Sequence, residues 1–320
     1  MKRRSTTFLM MFLLAASSAM AHAHAKLVEA VDFGSNPGHL QMFYYVPPSL
    51  PADAPLVVVA HGCLQTAQEM ADTSGWVELA TKYHFALLFP QTSKANEPWA
   101  GCFRTWEPAQ QVRGAGEPLS VWQMIEHMRV LFPLSKTRTY ITGVSSGGHL
   151  TNEMLATYPD VFAAGAPESS FPYKCAMSAK DLATCAAGKR HYTAKQWGDL
   201  VRSGDPGYAG PWPRVQIWHG GQDPVIKPVN QHLEALQWTN VHGIDASQGQ
   251  KDELLSQPRI SYRAKDGEVM VQTITVRGMK HGIAVDPGTG PGQCGTTGPY
   301  AHAAGICAAY WIGKFFGVVH

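Results

Sequence analysis

The sequence has 320 residues, with 26 lysines and arginines against 24 aspartates and glutamates. Because that balance is even, and no basic run lies outside the extreme N-terminus, a nucleic-acid binder or a partner of anionic lipid is excluded. The length suits one large α/β domain or two small ones, and the lack of any Ser/Gly/Pro linker tract or internal repeat favours one.

Lys2, Arg3 and Arg4 precede an unbroken apolar run from Phe8 to Ala16, and small residues at Ala19, Ala21, Ala23 and Ala25 follow. Basic, apolar, then small is the order of a secretory signal peptide. A transmembrane anchor is the rival, but the run is far shorter than the roughly 20 residues a bilayer requires. Residues 1–25 are therefore expected to be a removed leader and 26–320 a single catalytic domain, secreted to the medium or the periplasm. The leader holds three basic and no acidic side chains, so its loss leaves 23 basic against 24 acidic groups.

Along the mature part, apolar strand-like runs alternate with helical patterns, which favours a mostly parallel sheet with helices on both faces. Gln41–Val46 and Leu56–Ala60 read as early strands. A helix over Trp76–Tyr83 leads to a strand over Ala86–Pro90. Val121, Met124, Ile125 and Met128 share one face of a helix over Val121–Phe132. Tyr140–Gly143, Val215–His219 and Val271–Val276 read as further strands, and the last helix runs from about Ala303 to Phe316. Residues 167–213, rich in Lys, Gly, Ala and Pro, break this rhythm. They read as a cap or inserted loop near the active site, or as a solvated excursion.

All six cysteines lie in the mature part. An even count in an exported chain points to disulfides, and pairing near neighbours gives Cys63–Cys102, Cys175–Cys185 and Cys294–Cys307. There is no C-x-x-C and no H-E-x-x-H, so neither a metal nor a cofactor is expected.

Gly143-Val144-Ser145-Ser146-Gly147 fits G-x-S-x-G, a weak pattern in a glycine-rich chain until its setting is considered. Tyr140-Ile141-Thr142 reads as a buried strand running into it. Leu150, Met154, Leu155 and Tyr158 give a helical face after it. Strand, tight turn and helix form the nucleophile elbow of α/β hydrolases, with Ser145 at its centre. A nucleophilic serine needs a base, and the base an orienting acid, in the chain order Ser, Asp or Glu, His. Asp223 follows the strand ending at His219, whereas Asp205 has turn residues around it but no strand before it. His281 follows the strand Val271–Val276 through a short turn. His219 ends its strand too close to Asp223 to be an independent member, and His302 reads as a helix residue. The second oxyanion donor belongs on the loop after an early strand. Leu56–Ala60 leads into His61-Gly62-Cys63, so the amides of Cys63 and Ser146 are expected to form the oxyanion hole.

These residues resemble the extracellular poly(3-hydroxybutyrate) depolymerases and their relatives among feruloyl and acetylxylan esterases, over nearly all of the mature chain. His61-Gly62-Cys63 is similar to the family's oxyanion segment, Gly101–Trp106 to its second cysteine with a following aromatic, and Arg113–Glu117 to the charged loop after it. Gly143–Gly148 and Gly278–Gly282 are similar to its serine and histidine motifs. The stretch from Cys294-Gly295 through Gly305-Ile306-Cys307 to Phe316-Gly317 is the most specific and favours the depolymerase branch. The resemblance implies an α/β-hydrolase fold and hydrolysis of poly- or oligo(3-hydroxybutyrate) esters through an acyl-enzyme. It also implies a polyester or oligoester as partner, with no nucleic acid, membrane or obligate protein partner. Polymer-degrading members usually append a linker and a substrate-binding domain, whereas this sequence stops at Val319-His320. Oligomers, amorphous polymer or other soluble esters are therefore the expected substrates. Trp99 and Trp106 are expected either to grip a polymer chain or to pack in the core. A feruloyl or acetylxylan esterase is the alternative reading. A binding protein on an inactive hydrolase scaffold is the alternative from another class.

Overall fold

The computed structural model describes residues 25–320, so all of the expected leader except Ala25 lies outside the described residues. In chain order the elements are β1 (Val28–Ala30), β2 (Gln41–Tyr45), β3 (Ala54–Ala60), α1 (Ala67–Thr73), α2 (Trp76–Tyr83), β4 (Ala86–Gln91), α3 (Gly116–Leu131), β5 (Leu134–Val144), α4 (Ser146–Thr157) and β6 (Ala164–Glu168). There follow α5 (Leu182–Ala186), α6 (Ala194–Arg202), β7 (Arg214–Gly220), α7 (Val229–Val241), β8 (Gln250–Leu254), β9 (Gln257–Arg263), β10 (Val269–Val276), β11 (Ile283–Val285), β12 (Ala301–Ala303) and α8 (Ala308–Phe316).

Ten strands form one sheet in the order β1-β2-β4-β3-β5-β6-β7-β10-β9-β8. The six from β4 to β10 are mutually parallel, and an antiparallel pair flanks them at each edge. This is the α/β-hydrolase arrangement. Strand β3 is buried at every position, as a parallel strand covered on both faces must be. Its alternate side chains serve two cores. Val57 and Val59 pack with Trp76, Ile312 and Phe316, under α2 and α8. Leu56, Val58 and Ala60 pack with Met124, Leu150, Met154 and Trp238, under α3, α4 and α7.

Several elements differ from the sequence expectation. Helix α3 starts at Gly116, five residues early, with Pro118 in its first turn, where a missing N–H costs nothing. The last helix starts at Ala308. Residues 301–303, including His302, form β12 instead, because they pair in parallel with Ile283–Val285. Residues 167–213 are not one excursion. Pro167 and Glu168 complete β6, and α6 buries Trp197 and Val201 against the helical layer. Only the stretch between them behaves as an insert. It is closed by Cys175–Cys185 and packs Phe171, Cys175, Ala176 and Cys185 into a small core shared with Trp197 of α6 and Ile226 after β7.

Candidate active site

Strand β5 ends at Val144 and α4 begins at Ser146, which leaves Ser145 alone to turn the chain. It does so at φ 57° and ψ −117°, a conformation that costs a non-glycine residue about 1–3 kcal/mol. The surroundings hold it there: the Ser145 amide donates to Glu168 O at 2.9 Å, and its carbonyl accepts from His149 N at 2.9 Å. The flanking glycines are required by contact. A Cβ on Gly147 would lie 2.3 Å from the carbonyl oxygen of Ala60, and one on Gly143 2.6 Å from that of Gly147. The motif therefore allows α4 to pack onto the end of β3.

Asp223 lies in the loop after β7 and is buried. Its Oδ1 accepts from the amides of Val225 (2.8 Å) and Ile226 (2.9 Å), and its Oδ2 from His281 Nδ1 (2.7 Å). Burial pushes this carboxyl up, but the His281 bond and the two amides outweigh it and hold it below its ordinary value. The acid and histidine loops are tied together by a bond from Gln222 N to Met279 O at 3.0 Å. His302 Nε2 donates to the carbonyl of His281 at 2.9 Å, so this residue steadies the histidine loop from β12. His219 is buried and donates from Nε2 to Ile226 O at 2.9 Å. Burial lowers its pKa, so it packs as a neutral ring beneath Asp223. Asp205 is engaged elsewhere, 3.2 Å from Arg113 in a surface ion-pair group with Asp160.

The loop after β3 is built around His61. Thr92 N donates to its Nε2 at 3.1 Å, which leaves Nδ1 to donate to Gly62 O at 2.7 Å. Burial drives this ring down to about 4, so it stays neutral and keeps both bonds. Gln65 Oε1 accepts from Gly62 N, and Leu64 N donates to Ala100 O. Cys63 is bonded to Cys102. Glu97 accepts from the amides of Trp99, Ala100 and Cys102, and so shapes the other side of that bridge. The neighbour pairs Cys175–Cys185 and Cys294–Cys307 are also disulfides. Glu97 carries no periodic or motif signal, and although His61 stands in the His61-Gly62-Cys63 segment, the loop-organising role of its ring follows only from its partners Gly62 and Thr92.

Ser145, His281, Cys63, Leu64, Val225 and Tyr300 line one cavity of about 200 Å³. Ser146 begins α4 beside it, among helix N-terminal amides that have no partner within the helix. Trp99 and Trp106 do not enter this cavity. They line a separate groove of about 420 Å³ beyond the Cys63–Cys102 bridge, with Glu97, Cys102 and Leu182. Trp99 is 90% exposed, and Trp106 is half-buried against the small core of the insert. Among the described residues no group of His, Cys, Asp and Glu is placed to hold a metal ion.

The family described as Esterase PHB depolymerase matches residues 40–252. Poly(3-hydroxyalkanoate) depolymerase C of Paucimonas lemoignei is 43% identical over 317 residues, which is 99% of this chain and 75% of the relative. Feruloyl esterase B of Talaromyces funiculosus is 34% identical over 239 residues, covering 72% of this chain and 67% of the relative. Among solved structures, the acetyl xylan esterase from Aspergillus awamori superposes with a TM-score of 0.72 at 29% identity, covering 80% of this chain and 94% of that one.

Proposed function

The chain belongs to the PHB depolymerase esterase family and is a serine carboxylic-ester hydrolase, and from that premise we propose that it hydrolyses poly- or oligo(3-hydroxybutyrate)-type esters with Ser145 as nucleophile. The observation that carries this reading is the 43% identity to the Paucimonas lemoignei depolymerase over almost the whole chain. The 2.7 Å bond from His281 to Asp223, beside the cavity that Ser145 lines, supports the residue roles.

With Nδ1 committed to Asp223, the remaining nitrogen of His281 takes the Ser145 hydroxyl proton as Oγ attacks the ester carbonyl. The developing oxyanion is held by the amides of Cys63 and Ser146. Collapse breaks the bond to the alcohol oxygen, which leaves with the proton from His281. Water, deprotonated by the same ring, then attacks the acyl-serine. It releases the hydroxy acid and returns the proton to Ser145. Asp223 keeps the ring in the tautomer this cycle needs. Its lowered pKa suits that role, since it stays ionised while the ring gains charge.

Residues 1–25 are read as an export leader and 26–320 as one catalytic domain. Three disulfides support an oxidising compartment, to which such bonds are suited. No helix among the described residues is long and apolar enough to cross a membrane.

The test is a panel of 3-hydroxybutyrate oligomers, amorphous polymer, methyl ferulate and acetylated xylan, compared by kcat/KM. Preference for the oligomers supports the reading. Preference for methyl ferulate or acetylated xylan would move the enzyme to the carbohydrate-esterase branch, which the similarity to the Aspergillus awamori enzyme favours.

A further inference from the structure

A second cavity of about 260 Å³ adjoins the one that Ser145 lines and shares Leu64, Gln65 and Tyr300 with it. Tyr300 lines both, with Leu64 and Gln65. Its ring stands edge-on to the His281 ring, 6.5 Å between centroids, so the second cavity opens on the imidazole side of the nucleophile. The Tyr300 backbone is anchored to the histidine loop, since Ile283 N donates to its carbonyl at 2.9 Å. It also lies within the loop closed by Cys294–Cys307. Among the described residues lining the second cavity, Glu69 is the one with a charged side chain. Thr66 N holds the Glu69 carboxylate at 2.7 Å, in the capping box that starts α1.

Chemistry decides which part of the substrate lies there. The departing alcohol oxygen must sit within reach of His281 to take its proton, so the alcohol portion of the ester extends to the imidazole side. In a hydroxyalkanoate oligoester that portion is itself a hydroxy acid. Its carboxyl group is either esterified onward or, at the chain end, a free anion. A neutral ester fits beside Glu69, whereas a terminal carboxylate meets a like charge.

Resting on the oligoester reading above, we propose that the cavity beyond Tyr300 binds the alcohol-side hydroxyacyl unit, and that Glu69 there selects against a free terminal carboxylate. The enzyme then cuts internal ester bonds in preference to the bond that frees the last, carboxyl-bearing unit. Short acid-terminated oligomers accumulate as products.

The test compares the 3-hydroxybutyrate dimer as its free acid and as its neutral N-methylamide, with the full chain and with Glu69→Gln. Glutamine preserves the cap, as Thr193 and Gln196 form the same capping box at the start of α6. The wild type is expected to cleave the ester of the amide with kcat/KM about fivefold above that of the acid, the difference lying in KM and shrinking in high salt. In Glu69→Gln the ratio falls to within about twofold, because the like-charge contact is gone. Equal kcat/KM for acid and amide in the wild type, or a ratio unchanged by Glu69→Gln, would overturn the inference while longer oligomers are still cleaved. Failure to cleave the longer oligomers as well would overturn the oligoester reading, and this inference with it.

Discussion

Asp223 and His281 lie 58 positions apart in the chain and meet through a 2.7 Å hydrogen bond from Nδ1 to Oδ2. The amides of Val225 and Ile226 at the turn after β7 fix the acid's orientation, and His281 together with those amides holds its carboxyl ionised against the effect of burial. An Asp223→Asn variant keeps an oxygen for those amides but presents an NH₂ group to His281, which favours the wrong tautomer. A fall in kcat of about 10⁴ with an unchanged circular dichroism spectrum is expected. A loss below tenfold would remove Asp223 from the mechanism.

Ser145→Ala should abolish ester hydrolysis and labelling by a fluorophosphonate probe, leaving only oxyanion and binding effects, a loss of about 10⁴ or more. Because the backbone at Ser145 is held by Glu168 and His149, the fold should persist. Labelling of the wild type also separates an active esterase from an inactive scaffold. Activity of Ser145→Ala within tenfold of wild type would show another nucleophile at work.

Gly147→Ala tests the contact between α4 and β3. The added Cβ would meet the Ala60 and His61 carbonyl oxygens at 2.3 and 2.6 Å, backbone atoms that cannot swing aside. Overpacking of this kind costs about 1–3 kcal/mol or more. The variant should melt several degrees lower and lose most activity, since the elbow and the oxyanion loop share this contact. An unchanged melting temperature would show that the elbow can relax.

Cys63–Cys102 closes a loop across a separation of 39 residues. Such a link contributes roughly 4 kcal/mol in the chain-entropy model. It also holds the Cys63 amide, so mild reduction should lower turnover before the tryptophan fluorescence reports unfolding. Turnover and fluorescence changing together, at the same reductant concentration, would show that the bridge acts on stability alone.

Glu234 is buried at the core of a polar group, accepting from Asn152 Nδ2 at 2.5 Å and from the Ser170 hydroxyl. Burial pushes it up to about 8. Its folded pKa thus lies above the unfolded value, and the native state binds a proton that the unfolded chain has lost. The associated stability is complete below the ordinary carboxyl range and is lost as pH rises toward 8. Glu234→Gln keeps the acceptor oxygen and removes the titration. Its melting temperature should fall less than that of the wild type between pH 5 and pH 8. Parallel curves for the two proteins would refute the assignment.

The parts of this fold that the sequence determined by itself are those with a strong period or a sterically forced motif. Strand β3 is apolar at consecutive positions, as a doubly covered strand must be, and α2 was readable to its ends. Gly143, Ser145 and Gly147 were legible because a strained turn against β3 admits few other residues. Asp223 and His281 were legible as loop residues following apolar strands, and neighbour pairing of the cysteines agrees with the three disulfides.

Tertiary structure decided the rest, for identifiable reasons. Helix α7 buries Asn230, Gln231, Glu234, Gln237 and Thr239 alongside Leu233, Ala235 and Trp238, so its apolar pattern is broken by polar residues, and only its partners on other elements explain why those polar groups lie inside. The hairpin of β8 and β9 is an edge whose first strand is mostly exposed and charged, which leaves no alternation to detect. His302 pairs in a short parallel strand made possible only by the approach of residues 283–285. Trp99 and Trp106 look alike in sequence, yet one is exposed and the other rests on the insert's small core. The cavity beyond Tyr300 belongs to this second kind as well. Glu69 and Tyr300 come together there because the loop closed by Cys294–Cys307 folds back over α1, a contact between segments that no local pattern encodes.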